Sequence, residues 1–219
     1  MIAAVVAVRA GSQRVKNKNI RPFGDTNLLE MKLNLLKKVK NIDKIIVNSD
    51  CEKMLKIGLE HGVECHKREK YYASSEVTNS EFHSHIGKIT DSETIFLAPV
   101  CSPFVTVESH EKAIRFYLEN EYDSITSVSD VKNHLWLNNK PINYDLKNVP
   151  NSQDLPEIIK LTYGITIVNR EIMRKEKRVV GNNPGFYKLN EIESIDIDTE
   201  FDFFIAEQIY LKGVKNVKF

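Results

Sequence analysis

The amino-terminal stretch limits the fold most tightly, because an unbroken apolar run ends abruptly at a basic turn. Residues 2–8 read Ile-Ala-Ala-Val-Val-Ala-Val, with small or β-branched side chains throughout. A run of this length is too short to cross a membrane and is typical of a parallel strand buried on both faces. The chain is therefore predicted to form an α/β fold with its first strand inside the sheet.

The turn after this strand, residues 9–19 (the head turn), has the composition of an anion site. Open α/β sheets bind ligands at the carboxyl edge of their strands. Gly11 lets the backbone approach a ligand closely, and amide N–H groups can form a concavity for phosphate. A solvated surface loop would have a similar composition, so both interpretations stand on these residues alone. The cations of the head turn are Arg9, Arg14, Lys16 and Lys18.

Two common nucleotide motifs are absent from the sequence. The chain contains neither a G-x-x-x-x-G-K-[ST] P-loop nor a G-x-G-x-x-G fingerprint. A nucleotide would therefore be held by a turn with a single glycine and several cations.

Composition narrows the class of protein and its location. Among 219 residues, Lys+Arg number 31 and Asp+Glu 30, which argues against a general nucleic-acid or membrane-surface binder. Three cysteines without a C-x-x-C pair are typical of reduced thiols in a cytoplasmic protein. The N-terminus lacks the basic region and cleavage site of a signal peptide. We expect a cytoplasmic protein of one domain, residues 1–219, with no nucleic acid and no membrane partner.

Strand and helix signals alternate along the chain. The first three strands with helical patterns between them give a βαβαβ order, which implies a parallel sheet. The strands are predicted at 2–8, 44–48, 63–66, 94–98, 123–129 and 160–168. Two of the later helices are predicted at 80–88 and 107–118.

The carboxyl-terminal part is predicted to end in a helix. Pro184-Gly185 indicates a break before it. Thr199 begins the helix and forms a weak capping box with Asp202. The side chains predicted to face the core from this helix are Phe201, Phe204, Ile205 and Ile209.

Residues 133–157 interrupt the alternation. Asn and Pro dominate this stretch, and apolar residues such as Trp136 and Leu137 follow neither a helical nor a strand period. A long irregular stretch inside a compact domain is usually a functional loop or an interaction arm. We call residues 133–157 the arm.

The segment Ile195-Asp196-Ile197-Asp198 alternates with period two. As a strand it would turn both isoleucines to the core and both carboxylates to the opposite face, with their Cα atoms about 6–7 Å apart. Like charges on one strand face are unfavourable without a counterion, and Mg²⁺ takes one or two carboxylates together with phosphate oxygens. Asp196 and Asp198 are therefore predicted to hold Mg²⁺, with an ordinary half-exposed strand as the alternative.

Both ends of the chain resemble the cytidylyltransferases that activate acidic sugars, the CMP-sialate and CMP-Kdo synthetase family. The opening pattern of that family, roughly A-R-x-G-S-K-x-x-x-x-K-N, is similar to V-R-A-G-S-Q at residues 8–13 followed by Lys18-Asn19. Its carboxyl-terminal metal motif resembles I-D-I-D followed by D-x-x-x-A-E, here residues 195–198 and 202–207.

The resemblance implies both a fold and a reaction. The fold is a three-layer αβα, Rossmann-like nucleotidyltransferase fold with a mostly parallel sheet, and the arm packs into a neighbouring subunit of a homodimer. The reaction is transfer of CMP from CTP to an acidic sugar (sialate-, nonulosonate- or Kdo-like) or a related surface-glycan precursor, with release of pyrophosphate and Mg²⁺ as cofactor.

The resemblance also implies roles for individual residues; for Arg68 a solvated loop arginine is the alternative. The catalytic residues implied are Arg9, Lys18 and Asp198. The nucleotide-binding residues implied are Arg9, Ala10, Gly11, Ser12, Arg14, Lys18, Asn19, Arg68 and Ser80. The acceptor-binding residues implied are Ser102, Gln153 and Tyr163. The metal ligands implied are Asp196 and Asp198.

The chain departs from the family pattern at several positions. At four positions many members carry lysine, arginine, arginine and asparagine, respectively. In this sequence the same positions are Gln13, Val105, Asn151 and Tyr163. The acid group of the acceptor would then be read elsewhere, through Lys160 or Lys188, or the acceptor is not sialate-like.

Two other functions stay open from the sequence. A uridylyl- or guanylyltransferase acting on a sugar phosphate also uses an apolar strand before a turn with glycine and cations, although such turns usually contain more glycines. A catalytically impaired nucleotide-binding homologue would account for Gln13 and Val105, whereas the presence of both Asp196 and Asp198 argues against it.

Overall fold

The computed structural model describes residues 1–213, and the last six residues of the predicted domain, 214–219, lie outside the described part. The strands are β1 (Ile2–Ala7), β2 (Pro22–Phe23), β3 (Thr26–Asn27), β4 (Lys44–Ser49), β5 (Glu64–Lys67), β6 (Thr94–Leu97), β7 (Ser124–Asp130), β8 (Trp136–Leu137), β9 (Lys140–Pro141), β10 (Ile159–Asn169) and β11 (Pro184–Lys188). The helices are α1 (Leu28–Leu36), α2 (Glu52–Glu60), α3 (Lys70–Ala73), α4 (Asn79–Ile86), α5 (Val107–Leu118) and α6 (Glu200–Lys212), with a 3-10 turn at Ser152–Asp154 and a π turn at Ile172–Glu176.

A sheet of seven strands forms the centre of the molecule, in the order β11-β7-β10-β6-β1-β4-β5. Strand β10 is antiparallel to both β6 and β7, whereas every other neighbouring pair is parallel. The prediction of a mostly parallel sheet with β1 inside it is confirmed. Because six strands run the same way, the segments that follow β1, β4, β5, β6, β7 and β11 all leave the sheet at its carboxyl edge.

Helices cover both faces of the sheet, as a three-layer fold requires. Successive side chains of β1 point to opposite faces. Val6 packs in the larger apolar cluster, which includes residues of α1, α2, α5 and α6. Val5 packs in the smaller cluster with Ile86 of α4 and Met173 of the π turn. Within residues 1–213, no helix is long and apolar enough to cross a membrane.

The break predicted at Pro184-Gly185 is wrong, because both residues belong to β11. Pro184 is the first residue of a strand at the sheet edge, where proline removes no required hydrogen bond. Gly185 is needed for packing: a Cβ there would lie 2.4 Å from Cδ1 of Ile125 and 2.7 Å from Cδ2 of Tyr122. The two residues therefore let an edge strand lie close against its neighbours.

The predicted core face of the last helix is also wrong in part. Helix α6 buries Phe203 and Ala206, while Phe201 and Phe204 are 70% and 56% exposed. The capping box between Thr199 and Asp202 is confirmed. The apolar side chains of α6 are spread around nearly the whole helix, so its sequence could not indicate which side packs against the sheet. Its solvent-facing side therefore carries exposed apolar side chains.

The arm is locally ordered by a short hairpin rather than irregular throughout. Strands β8 and β9 pair antiparallel, and Asn143 ties the hairpin base by accepting from Leu135 N–H at 2.8 Å and donating to Asn133 O at 2.9 Å. Five of its large apolar side chains are more than half exposed, whereas Leu155 is buried: the exposed ones are Trp136, Leu137, Ile142, Leu146 and Val149.

Acid should destabilise the fold partly through His110. This residue of α5 is fully buried, and its Nδ1 donates to Thr106 O at 2.6 Å. Burial lowers the pKa of His110 from 6.5 to about 3, with Lys32 adding to the shift. Below pH 6.5 the unfolded chain binds a proton that the folded protein does not, so the free energy of unfolding falls as pH falls, by up to about 1.4 kcal/mol per pH unit.

We therefore expect a His110→Leu variant to lose less thermal stability than the wild type between pH 6.5 and pH 4, measured by thermal melts across this range. His85 also has a lowered pKa, about 4, so its contribution persists in both proteins. Equal pH slopes for the two proteins would contradict a buried neutral His110.

Candidate active site

Three segments meet at the carboxyl edge of the sheet. The head turn follows β1, residues 99–104 (the proline turn) follow β6, and residues 195–198 (the acidic segment) lead into α6. The sequence places the head turn and the acidic segment at opposite ends of the chain. The parallel sheet brings them together because their preceding strands end on the same side.

The head turn is fixed at its glycine and at one buried side chain. Gly11 has φ +72°, a left-handed conformation that favours glycine, and a Cβ there would meet nothing within 4 Å. Val15 is 1% exposed and anchors the turn in the core. Asn19 is also buried, and its Nδ2 donates to Arg9 O at 3.0 Å. Asn19 therefore closes the turn from inside.

Arg9 and Ala10 attach the head turn to its neighbours. Nη1 of Arg9 donates to Ala73 O at 2.9 Å and to Ser74 O at 2.8 Å. The N–H of Ala10 donates to Oδ1 of Asp50 at 3.0 Å. Asp50, which the sequence reasoning did not single out, thus helps to set the backbone of the turn.

The head turn also contacts the acidic segment directly. Nη2 of Arg14 lies 2.7 Å from Oδ1 of Asp198, and both side chains are largely exposed. Nζ of Lys18 donates to Ile197 O at 2.5 Å. Two cations and one carboxylate singled out from the sequence, Arg14, Lys18 and Asp198, therefore line the same cavity at this edge.

The acidic segment is extended but is not the predicted strand. It lies outside the strands of the structure, and Ile197 N–H donates to Cys101 O at 2.9 Å. Asp198 N–H donates instead to Oδ2 of Asp202, which forms the capping box of α6 with the N-cap residue Thr199. The backbone of Asp198 is therefore bonded to the start of the helix and not to a neighbouring strand. The predicted alternation of buried and exposed side chains is nevertheless present, since Ile197 is fully buried while both aspartates reach the surface.

The acidic pair has an unusual electrostatic setting. Partial removal from water raises the pKa of Asp196, and the nearby carboxylate of Asp198 raises it further. A hydrogen bond from the Cys101 thiol and the charge of Lys18 lower this pKa. Asp196 is nevertheless more than one third exposed. A cation at this place would relieve the repulsion between the two carboxylates.

The donor chemistry fits Mg²⁺ only in part. Asp196 and Asp198 offer carboxylate oxygens, which magnesium prefers. Among residues 1–213, no group of three or more His, Cys, Asp and Glu side chains is arranged to hold a metal ion. Magnesium often takes one or two carboxylates and completes its shell with water and substrate phosphate. The pair therefore suits an ion that arrives with a phosphate ligand.

Two cavities open beside these groups. The head-turn cavity, about 210 Å³, is lined by Arg9, Ser12, Arg14, Lys18 and Asp198 among others. The central cavity, about 350 Å³, is lined by residues of β6, β10 and α4 and by Asp196. The residues that line both cavities are Ala7, Pro99 and Cys101. A ligand can therefore extend from one cavity into the other.

The predicted acceptor residues do not all reach these cavities. Ser102 and Tyr163 line the central cavity. Tyr163 has φ +55°, which is uncommon for a bulky residue and which asparagine would adopt more easily. Gln153 is exposed in the 3-10 turn of the arm and does not line the central cavity.

Helix α4 presents a different residue from the one predicted. Ser80 is exposed and does not line either cavity, whereas Asn79 beside it lines the central cavity with Phe82 and His83. Adjacent residues of a helix point about 100° apart, so a shift of one position changes the face. Only the position of α4 against the sheet decides which residue reaches the cavity.

Arg68 is not the solvated loop arginine of the alternative interpretation. It is 4% exposed, and its guanidinium donates to Oδ1 and O of Asn48, both at 2.6 Å. Burial lowers the pKa of Arg68 to about 10, Asp50 opposes the shift, and Arg9 adds to it. Arg68 thus lies behind the head turn and supports the end of β4.

Sequence reasoning missed a buried lysine below the proline turn. Lys32 of α1 is 2% exposed, and its Nζ donates to Ser102 O at 3.0 Å. Burial lowers the pKa of Lys32 to about 8, partly opposed by Cys101. The only signal in the sequence is its spacing of four residues from both Leu28 and Leu36, which places it on the buried face of the helix.

A mostly parallel sheet with charged turns at the carboxyl edge of its strands is typical of α/β enzymes that bind nucleotides, and comparison with known proteins identifies the family. The family model described as Cytidylyltransferase matches residues 3–154. The chain is 25% identical over 230 residues to the Post-translational flagellin modification protein B of Campylobacter coli, covering 99% of this chain and 97% of that protein. It is 24% identical over 233 residues to the CMP-N,N'-diacetyllegionaminic acid synthase of Campylobacter jejuni, covering 99% and 97%.

The fold agrees with a solved structure as well. The structure of a CMP:2-keto-3-deoxy-manno-octonic acid synthetase complexed with CTP aligns with a TM-score of 0.73 at 10% identity, covering 96% of this chain and 98% of that chain. This chain belongs to the cytidylyltransferase family, so the prediction of a CTP-dependent nucleotidyltransferase is confirmed.

Replacing Gly11 should separate backbone strain from ligand contact. Gly11→Ala should cost about 1–2 kcal/mol of stability, because alanine disfavours the left-handed conformation. Its methyl group would also point into open space that a phosphate can occupy. Gly62→Ala is the matched control, since Gly62 has φ +66° and equally open surroundings away from the site.

Both variants should lose similar melting temperature, while only Gly11→Ala should show a smaller thermal shift with CTP. If the two variants respond equally to CTP, the head turn is not the phosphate site.

Proposed function

We propose that the protein transfers CMP from CTP to an acidic sugar or a related surface-glycan precursor. An acceptor oxygen attacks the α-phosphorus of CTP in line, and pyrophosphate leaves. The observation that carries this proposal is the contact between the two ends of the chain, Arg14 with Asp198 and Lys18 with Ile197 O. Phosphoryl-type transfer needs positioned cations around the phosphates and little covalent chemistry from the protein, which this edge can supply.

The head turn would hold the phosphates. Arg14 is 69% exposed and paired with a carboxylate that is itself 45% exposed. Such exposed pairs contribute roughly 0–1 kcal/mol, so a triphosphate can take over the guanidinium at little cost. Lys18 and Ser12 line the same cavity. Arg9 is held by two carbonyl oxygens through Nη1 and would present its remaining N–H groups.

The acidic pair would hold Mg²⁺ together with phosphate oxygens. When bound, the ion would neutralise phosphate charge and lower the pKa of an acceptor hydroxyl. Asp198 would exchange its partner Arg14 for the ion, which frees the guanidinium for phosphate. Asp196 lines the central cavity and would orient the reacting end of the acceptor.

The acceptor is proposed from the relatives and from the chain's own cations. Those relatives include a CMP-N,N'-diacetyllegionaminic acid synthase. Val105 is fully buried, so the acid group is not read from that position. Lys188 is held by Asp130, with Nζ 2.5 Å from Oδ2. Lys160 lies next to the site without such a partner in residues 1–213 and is the better candidate to read the carboxylate.

The arm supports the proposal of a homodimer. Five of its large apolar side chains are more than half exposed. The hairpin that carries two of them has a defined conformation, in which Trp136 Nε1 donates to Tyr144 OH at 2.6 Å. A cluster of this kind on a polar protein usually marks an interface. We further propose that the enzyme works in the cytoplasm, where its nucleotide substrate is made.

Removal of one carboxylate of the acidic pair tests the catalytic proposal. Asp198→Ala should lower the rate of pyrophosphate release from CTP and an acidic acceptor by several orders of magnitude, because charge neutralisation at the phosphates is lost. Asp91→Ala is the control: Asp91 is an exposed residue before β6, at the other edge of the sheet, and forms an ion pair with Lys44 at 3.3 Å. Full activity of Asp198→Ala with CTP and Mg²⁺ would refute the assignment.

Nucleotide choice separates the alternatives. Thermal shifts with CTP, UTP, GTP and ATP, each with and without Mg²⁺, should be largest for CTP with Mg²⁺. A larger shift with UTP or GTP would favour a sugar-phosphate uridylyl- or guanylyltransferase. A CTP shift without turnover on any acidic acceptor would favour the catalytically impaired homologue.

Charges placed on the arm should dissociate the proposed dimer. Leu137→Glu combined with Leu146→Glu puts two carboxylates into the apolar cluster, where burial against a partner would be unfavourable. Sedimentation velocity should show a dimer for the wild type and a monomer for the double variant. Leu59→Glu, at a 65% exposed position of α2, should remain dimeric. A monomeric wild type would refute the role of the arm.

A further inference from the structure

A third cavity at the carboxyl edge has no role in the site described so far. This lateral cavity, about 440 Å³, lies between the end of β7, the start of β10, residues 191–196 and the first turn of α6. Asp196 lines both the lateral and the central cavity. The lateral cavity therefore adjoins the place proposed for the reacting end of the acceptor.

Residues that line this cavity carry three of the seven buried side-chain polar atoms for which residues 1–213 offer no hydrogen-bond partner. The three atoms are Oγ of Ser129, Oδ1 of Asp130 and Oγ of Ser194. All three residues line the lateral cavity, and Ser129 is only 9% exposed. Leaving such an atom without a partner costs about 1–3 kcal/mol, so a native protein normally satisfies it with water or ligand.

An ion pair with Lys188 holds the carboxylate of Asp130 in position. Lys188 Nζ lies 2.5 Å from Oδ2 of Asp130, which leaves Oδ1 as the free acceptor of the same carboxylate. Ser129 comes just before it at the end of β7, so the two residues sit on the rigid central sheet. Ser194 approaches from the segment that precedes Asp196. Rigid elements of this kind suit a binding site.

The chemistry of the walls selects a neutral, hydroxyl-bearing ligand. Of the described residues, four with carboxylate side chains line the cavity, namely Asp130, Glu191, Asp196 and Asp202, and one with a cationic side chain, Lys160. An anionic group would be repelled by most of this surface. Sugar hydroxyls can donate to a carboxylate and exchange hydrogen bonds with serine. Phe201 and Ile205 form an apolar side against which the C–H groups of a sugar chain can pack.

We propose that the lateral cavity binds the hydroxylated tail of the acceptor sugar, and this inference rests on the proposed function. The reacting hydroxyl lies beside Asp196, and the tail extends over the end of β7 to Ser129, Asp130 and Ser194. Lys160 also lines the cavity, and the acid group of the acceptor lies next to its ammonium group, away from the carboxylates. Phe201 of α6, which the sequence placed in the core, is exposed because it forms a wall of this cavity.

The test uses Ser129→Ala and Ser194→Ala, with Ser109→Ala as control. Ser109 is equally buried at 9% exposure, but it lies on α5 outside the cavity. Pyrophosphate release is measured with CTP and Mg²⁺, and N-acetylneuraminate, N,N'-diacetyllegionaminate and 2-keto-3-deoxy-manno-octonate serve as acceptor probes. The variants are then characterised with the acceptor that the wild type uses best.

Each of the two cavity variants should raise the acceptor KM about three- to tenfold, because each loses one hydrogen bond to the tail. The KM for CTP and the CTP thermal shift should stay unchanged. The melting temperature of the ligand-free variants should be equal to or above that of the wild type, because an unpaired buried hydroxyl has been removed. Ser109→Ala should leave the acceptor KM unchanged.

Two results would overturn this inference without affecting the proposed function. One is an unchanged acceptor KM in both cavity variants. The other is a lower melting temperature without a selective effect on the acceptor KM, which would mean that the two serines only stabilise the fold. If the wild type releases no pyrophosphate with any probe, the proposed function itself fails for acidic sugars and the inference fails with it.

Discussion

The contact between the head turn and the acidic segment is the interaction on which the site depends. Arg14 and Asp198 are 184 positions apart in sequence and pair at 2.7 Å, and Lys18 reaches the backbone next to that carboxylate. Each segment supplies only one half of the proposed site, because the head turn carries the cations and the acidic segment carries the carboxylates. The sheet brings the two segments together, because the strands that precede them, β1 and β11, run in the same direction.

Each part of the site is supported by buried polar groups rather than by surface pairs. Asn19 closes the head turn, Arg68 holds the end of β4 through Asn48, and Lys32 holds the proline turn through Ser102 O. Buried hydrogen bonds to charged groups are stronger than exposed ion pairs. Buried hydrogen bonds therefore hold the backbone behind this edge, whereas the ion pair between Arg14 and Asp198 lies at the surface and contributes little to stability.

Local patterns in the sequence predicted much of the fold. The apolar run of β1, the alternation of strands and helices, and the capping box of α6 depend on neighbouring residues, and all were confirmed. Predictions failed where the pattern was ambiguous. Helix α6 is apolar almost all round, so its inner face could not be chosen, and Pro184-Gly185 was read as a break although an edge strand accepts both residues.

The candidate site divides in the same way. The sequence by itself determined which residues carry the charges, because a head turn of four cations and an alternating acidic segment can be read from a few adjacent positions. Only the tertiary structure decided that Asn79 rather than Ser80 lines the central cavity, that Lys32 is buried, and that Ser129 and Ser194 share a third cavity. These outcomes depend on how distant elements pack against one another, and no local spacing records that packing.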